Sequence, residues 1–243
     1  MLYFCKEGGG KIVFKGDKNM KKIFALLPMI AAFALTGCGD NEKESGEGQN
    51  LEISQEQAKQ KVAELAENGG YEITFKYNDS NNEDVPESTT IGVKENYYWF
   101  RTGNQGTMYH LIGETQVQIY SWDNDNSSFK ADEGGPITVD ADTYKSLYEV
   151  NTLYLYTAFT YDGTEGFHKV KDTTFVGRSA TEYKLNVAAY GAAASWKVII
   201  DKETGITLFW GVEARDVQGN AESASFEVTS FKTGAQVSVP AHD

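Results

Sequence analysis

Few residues in this 243-residue chain combine type and spacing in a way that could do chemistry, and the most distinctive is a thiol. Cysteine occurs twice, at Cys5 and Cys38, and Cys38 closes the run Leu35-Thr36-Gly37-Cys38 behind an uncharged apolar stretch. His110 and His168 have no cysteine, histidine or carboxylate at metal-ligand spacing, so each reads as a strand residue with an ordinary hydrogen bond. Asp123-Asn124-Asp125-Asn126-Ser127 sets oxygen ligands at alternate positions, as a calcium loop does. Ser128 stands where that loop needs glycine, however, and Gly134 where it needs a bidentate glutamate, so a polar loop is the better reading. No Gly-x-Ser-x-Gly elbow, phosphate-binding glycine loop or His-Glu-x-x-His helix occurs. Paired carboxylates are expected by chance in so acidic a chain, and spacing alone assigns none of them as acid or base. The sequence therefore points to no catalytic residue, no metal site and no cofactor, and to a protein that is not an enzyme. One constellation remains, an aromatic set: Phe75, Tyr77, Trp99, Trp122, Tyr144, Tyr148, Trp196 and Trp210 are the candidates for lining an apolar ligand cavity, with Tyr98 and Phe100 beside them.

The residues around the thiol say where such a site would work. Met20-Lys21-Lys22 gives a positive start, and Ile23 to Leu35 an apolar core shorter than the ~20 residues of a spanning helix, so residues 20–37 read as a signal peptide. Leu35-Thr36-Gly37-Cys38 resembles the lipobox of bacterial lipoproteins. That resemblance implies that Cys38 becomes the first mature residue, carrying thioether-linked diacylglycerol and an N-acyl chain such as palmitate. The protein would then be held on the cell membrane, facing the extracytoplasmic side, as periplasm or cell surface. Residues 1–19 show no helical or strand period and read as an upstream extension. Lys15-Gly16-Asp17 can be encoded by AAA-GGA-GAT, a purine-rich ribosome-binding sequence, so translation is expected to start at Met20.

Subtracting those 37 residues leaves 206, enough for one domain with a core of its own. The removed part carries six lysines against Glu7 and Asp17, so the formal charge of −13 becomes −17 without it. An acidic surface argues against nucleic acid and against lying flat on an anionic leaflet. With Cys38 lipidated no thiol is left to form a disulfide, and stability must come from packing.

Residues 38–52 form an acidic, flexible tether, too polar to bury itself. Ser54-Gln55-Glu56-Gln57 has the form of a capping box, and Ala58, Val62, Leu65 and Ala66 fall at helical spacing until Asn68-Gly69-Gly70 stops them. Tyr71 to Tyr77 alternates as a strand. Ser88–Lys94, Tyr97–Thr102, Thr107–Ile112 and Gln116–Trp122 follow with hairpin spacers, which predicts an antiparallel meander. Tyr97-Tyr98-Trp99-Phe100 is aromatic on both faces, which implies that both are covered. Asp140 to Phe159 changes to a helical period, although Thr152 to Thr157 would also pass as a strand. Strands resume at Phe167–Lys171, Thr173–Val176, Thr181–Ala188, Ser195–Asp201, Ile206–Ala214 and Ala221–Thr233. Asp201-Lys202-Glu203-Thr204-Gly205 supplies a type I turn with Gly205 at positive φ. Residues 53–235 make one domain, and residues 236–243 read as a loose tail.

The order helix, meander, helix, closing hairpins, together with Val198 to Leu208 around that turn and the later Asp216-Val217-Gln218-Gly219, resembles the LolA/LolB superfamily. The resemblance implies an α+β, mainly antiparallel fold: an incomplete, open β-barrel or strongly curved sheet, its concave face covered by an N-terminal and a mid-chain helix. It also implies a cavity for a lipid or acyl chain. The expected function is membrane-anchored, non-catalytic binding of an apolar or amphipathic ligand. The alternative is an anchored module that binds a protein partner and has a filled core. No ligand residue of that superfamily maps onto a position of this chain.

Overall fold

The computed structural model describes residues 51–80, 88–142, 148, 152, 155–156, 167–189 and 192–243, all within the unit Ser45–Asp243. Helix α1 (Gln55–Glu67) starts on the capping box expected of it. Ser54 Oγ accepts from Gln57 N at 3.2 Å, and Gln57 Oε1 accepts from Ser54 N at 2.8 Å, so two donors without an intrahelical partner are satisfied at once. Its apolar stripe buries Ala58 and Val62, and Lys61 Nζ donates to Glu203 O at 2.7 Å, which seats the helix on the turn at Gly205.

Twelve strands follow: β1 (Tyr71–Asp79), β2 (Thr89–Lys94), β3 (Tyr97–Thr102), β4 (Gln105–Ile112), β5 (Gln116–Asp123), β6 (Ser128–Lys130), β7 (Ile137–Asp140), β8 (His168–Phe175), β9 (Arg178–Ala189), β10 (Ala192–Asp201), β11 (Thr207–Arg215) and β12 (Ala221–Thr233). They form one antiparallel sheet in the order β6-β5-β4-β3-β2-β1-β12-β11-β10-β9-β8, with β7 also on β5. Two meanders thus meet back to back where β1 pairs with β12, and the sheet is open at β6/β7 and at β8. Register shifts at Thr74/Phe75, Ile199/Ile200 and Lys169/Lys171 insert bulges that bend their strands and add to the curvature. The last of these merges Phe167–Lys171 and Thr173–Val176, expected as two strands, into the single bulged β8. The three-residue β6 and the four-residue β7 were not legible as strands: each is too short to show a period.

Alternation along the strands divides the sheet cleanly. Tyr71, Ile73 and Phe75 share the inner face with Val93, Tyr98 and Tyr109 on one side, and with Phe226, Trp210, Val198 and Tyr183 on the other, all buried. Ala141, Asp142, Tyr148 and Thr152 have helical backbone, and Leu155 and Tyr156 lie in a 3-10 turn, all inside the stretch where the helical period was read. Tyr148 meets the inner face through Tyr71 and Tyr98. The fold is therefore an open, curved antiparallel sheet with helical cover on its inner face.

The outer face is polar over its middle, where Lys232 Nζ holds Glu72 Oε1 at 2.6 Å. Over β3 to β6 it is apolar: Trp99, Met108, Tyr120 and Phe129 form a buried cluster with Val237. Trp99 lies directly over Gly92, its partner on β2, where any Cβ would meet the indole at 2.0 Å. The segment expected to be a loose tail is what covers this cluster. Past a 3-10 turn (Gly234–Gln236), Val237 O accepts from Lys94 Nζ at 2.6 Å, and the chain ends its course in parallel pairing with β6 at Phe129–His242. The polar composition of that segment hid the two valines that anchor it.

Candidate functional site

Inner-face side chains of β1, β3 and β4 converge on Tyr148. Tyr71 Oη and Tyr148 Oη lie 3.1 Å apart, Tyr98 meets the Tyr148 ring edge-on at 5.2 Å, and Tyr109 stacks on Tyr98 at 5.7 Å. Burial pushes the hydroxyls of Tyr71, Tyr148, Tyr156 and Tyr109 above the ordinary phenol range, so they stay protonated and act as neutral hydrogen-bonding groups. The arrangement puts several phenols against an otherwise apolar wall, which suits a ligand with one polar end and an apolar body.

The eight aromatic residues singled out in the sequence separate in the structure. Phe75, Tyr77, Trp196 and Trp210 lie on the inner face, with Phe75 against Phe226 at 4.8 Å, and Tyr148 meets that face through Tyr71. Trp99 and Trp122 sit on the opposite face: Trp99 in the outer cluster, Trp122 at its rim, capped by the Arg101 guanidinium at 4.6 Å and donating to Asn124 Oδ1 at 2.8 Å. Tyr144 lies outside the described residues. Cys38, the expected lipid attachment, also lies outside them. Tyr71 and Tyr156, which join the phenol group, escaped notice because Tyr71 reads as one more alternating strand residue and Tyr156 falls in the stretch with both helical and strand character.

The inner-face aromatic residues are packed rather than open: Phe75 is 3%, Trp210 5% and Trp196 8% exposed. One open cleft among the described residues lies away from them. A cleft of about 550 Å³ runs between α1 and strands β9 and β10, lined by Glu52, Gln57, Lys61, Tyr183, Ile200 and Lys202 among others, and by none of the eight aromatic candidates. Its side chains come from three distant stretches, so no local pattern announced it. Lys169 ties its mouth together by contacting Glu52 at 3.0 Å and Asp172 at 2.9 Å, and Asp172 also holds Lys202 at 2.6 Å. Hydrogen bonds from Lys202 and Lys169 hold the Asp172 carboxyl down at about 2.

The Asp123 loop is spent on its own turn. Asp123 accepts from Asp125 N and from Asn126 Nδ2, each at 2.9 Å, and pairs with Lys130 Nζ at 3.1 Å; the Asn126 and Lys130 bonds lower its carboxyl to about 2. Among the described residues, no group of three or more His, Cys, Asp and Glu is placed to hold a metal ion. No helix among them is long and apolar enough to cross a membrane.

Two of the chain's three histidines meet across the outer cluster. His110 stacks on Tyr97 at 4.2 Å, and His242 approaches the same ring at 5.0 Å and Tyr120 at 5.7 Å. Desolvation first and His242 second lower the affinity of His110 for a proton below that of a free imidazole. A base whose proton affinity is depressed in the fold contributes stability that is fully present above its unfolded value of ~6.5 and is lost as the pH falls from there through its lower folded value. The other groups facing the pair are Tyr97, Tyr120 and Gln118, with Lys130 and Asp243 beside them. The melting temperature of the wild type is expected to drop more steeply than that of His110→Gln between pH 7.5 and 5.5, and parallel curves would refute this.

No protein-family model and no curated protein matches the chain. Among solved structures it is similar to MucB in complex with MucA(peri), at 16% identity over 73% of this chain and 55% of that one, with a TM-score of 0.29. It is similar to LprF from Mycobacterium bovis at 10% identity over 77% of this chain and 97% of that one, with a TM-score of 0.31. It is also similar to the LolA superfamily protein NE2245 from Nitrosomonas europaea, at 8% identity over 72% and 93%, with a TM-score of 0.22. The chain thus spans about half the length of the MucB chain and nearly all of the other two. Scores this low carry nothing over, and function has to be read from the chain's own residues.

Proposed function

We propose that this chain is a membrane-tethered, extracytoplasmic binding protein that takes an apolar or amphipathic ligand, a lipid or an acyl chain, without catalysis. The observation that carries the reading is the contact between inner face and helical cover. An apolar sheet face meets, in place of a second sheet, a helical segment joined to it by the Tyr71–Tyr148 hydroxyl pair. A ligand would enter by parting the two, replacing aromatic contacts with acyl contacts of similar character and leaving the phenols to face its polar end. Cys38 supplies the anchor, and the acidic residues 39–50 its reach.

The burial of Phe75, Trp196 and Trp210 and the open cleft beside α1 favour a second reading, a tethered module that binds a protein segment. Native mass spectrometry of the Cys38→Ser chain recovered from the cells that make it separates the two. A co-purifying lipid, displaced when Tyr148→Trp crowds the junction, supports the first. A chain that is always bare and leaves a hydrophobic dye dark in solution favours the second.

A further inference from the structure

The outer cluster is a groove with a peptide already in it. Beyond the turn at Gly234, the closing segment leaves β12 and makes its contacts on β2 to β6. Val237 enters the cluster of Trp99, Met108, Tyr120 and Phe129, Val239 packs at its edge, and Lys94 Nζ holds Val237 O. Farther on, Phe129 N donates to Ala241 O at 2.9 Å, Ala131 N to Asp243 O at 3.0 Å, and Asp243 N to Phe129 O at 3.2 Å. These bonds add a strand to the edge at β6, the way an extended peptide augments a sheet.

We propose that this segment exchanges between two copies of the chain, each laying its residues 235–243 into the other's groove. Everything the groove recognises is carried by the segment, and a second copy carries the same residues. The hinge is the 3-10 turn Gly234–Gln236, closed by Val237 N donating to Gly234 O at 3.1 Å; Gly234 opens it with φ of 56°, the left-handed region, and turns the chain back from β12. Opening that turn continues the line of β12 and leaves every contact of the segment available from a neighbour. In the closed form the segment's own groove competes at an effective concentration of roughly millimolar, so the exchanged form belongs to crowded copies.

The test uses the hinge. A Cβ at position 234 would meet nothing within 4 Å, so Gly234→Val leaves the packing alone and penalises only the closed turn. A β-branched residue there disfavours the left-handed conformation roughly tenfold per chain, which should raise dimer association about a hundredfold across the two turns. Full chains grown in heavy and light nitrogen are mixed in detergent, incubated, and coupled with carbodiimide between Lys130 and Asp243, which lie side by side. Exchange predicts a dimer by light scattering in Gly234→Val, with about half of the Lys130–Asp243 links joining heavy to light chains. A folded monomer, or a dimer whose links all stay within one isotope, overturns the proposal. Should Gly234→Val fail to fold, wild-type chains mixed at millimolar concentration give the same reading: heavy–light links support exchange, and their absence refutes it.

Discussion

Replacing Asp201 by alanine is expected to cost the fold about 3 kcal/mol, seen as a lower urea midpoint with an unchanged slope. The Asp201 side chain is 1% exposed. One oxygen accepts from Arg178 Nε at 2.8 Å; the other accepts from Arg178 Nη2 at 2.9 Å, Thr204 N at 2.9 Å and Thr204 Oγ1 at 2.6 Å. Removing the carboxylate strands a buried backbone N–H and takes the guanidinium's bidentate partner. Breaking a buried pair costs ~3–5 kcal/mol, and the lower end applies because Arg178 keeps Glu203 Oε2 at 2.7 Å and the Phe231 ring at 4.4 Å. The reverse truncation, Arg178→Ala, should be at least as damaging, since it leaves the carboxylate buried without its cation. A loss below ~1 kcal/mol for Asp201→Ala would mean that the pair is ornamental and that α1 and the strands hold the turn without it.

Gly92→Ala is the second large effect, about 3 kcal/mol, though it adds a single methyl group. The new carbon would lie 2.0 Å from Trp99 Cε2 and Cζ2, so the indole must leave its seat. Trp99 is 2% exposed and anchors the outer cluster, so its expulsion also loosens Met108, Tyr120, Phe129 and Val237. A double-mutant cycle isolates the cause: in a Trp99→Ala background the same substitution should cost less than ~1 kcal/mol. Equal costs in both backgrounds would place the damage in the strand itself rather than under the indole.

The sequence disclosed most where a local rule decides the structure. Ser54 and Gln57 announced a capping box and formed one; Asp201 to Gly205 announced a turn, and Gly205 adopts φ of 74°. Even there the motif said less than the molecule does, because no pattern in five residues reveals that Asp201 is buried against Arg178 from another strand. Tyr97 to Phe100 showed that both faces of β3 are covered, but the cover on the outer face comes from Val237, far along the chain. The cleft beside α1 was invisible for the same reason, gathering Glu52, Tyr183 and Lys202 from separate stretches. Aromatic content alone marked Trp99 and Phe75 alike; only the register of β1 to β3 puts them on opposite faces.

The pairing of β1 with β12 sets the order of assembly. Thr74 and Thr229, joined across it, lie 155 residues apart, so the middle of the sheet is the last part that can form as the chain emerges N-terminus first. Until β12 arrives, β1 presents a nine-residue unpaired edge with Tyr71, Ile73 and Phe75 uncovered on one side, the kind of surface on which strands of neighbouring chains add. A chain exported through a membrane would pass through that state at every synthesis, and the burden on its folding helpers falls on the interval between those two strands.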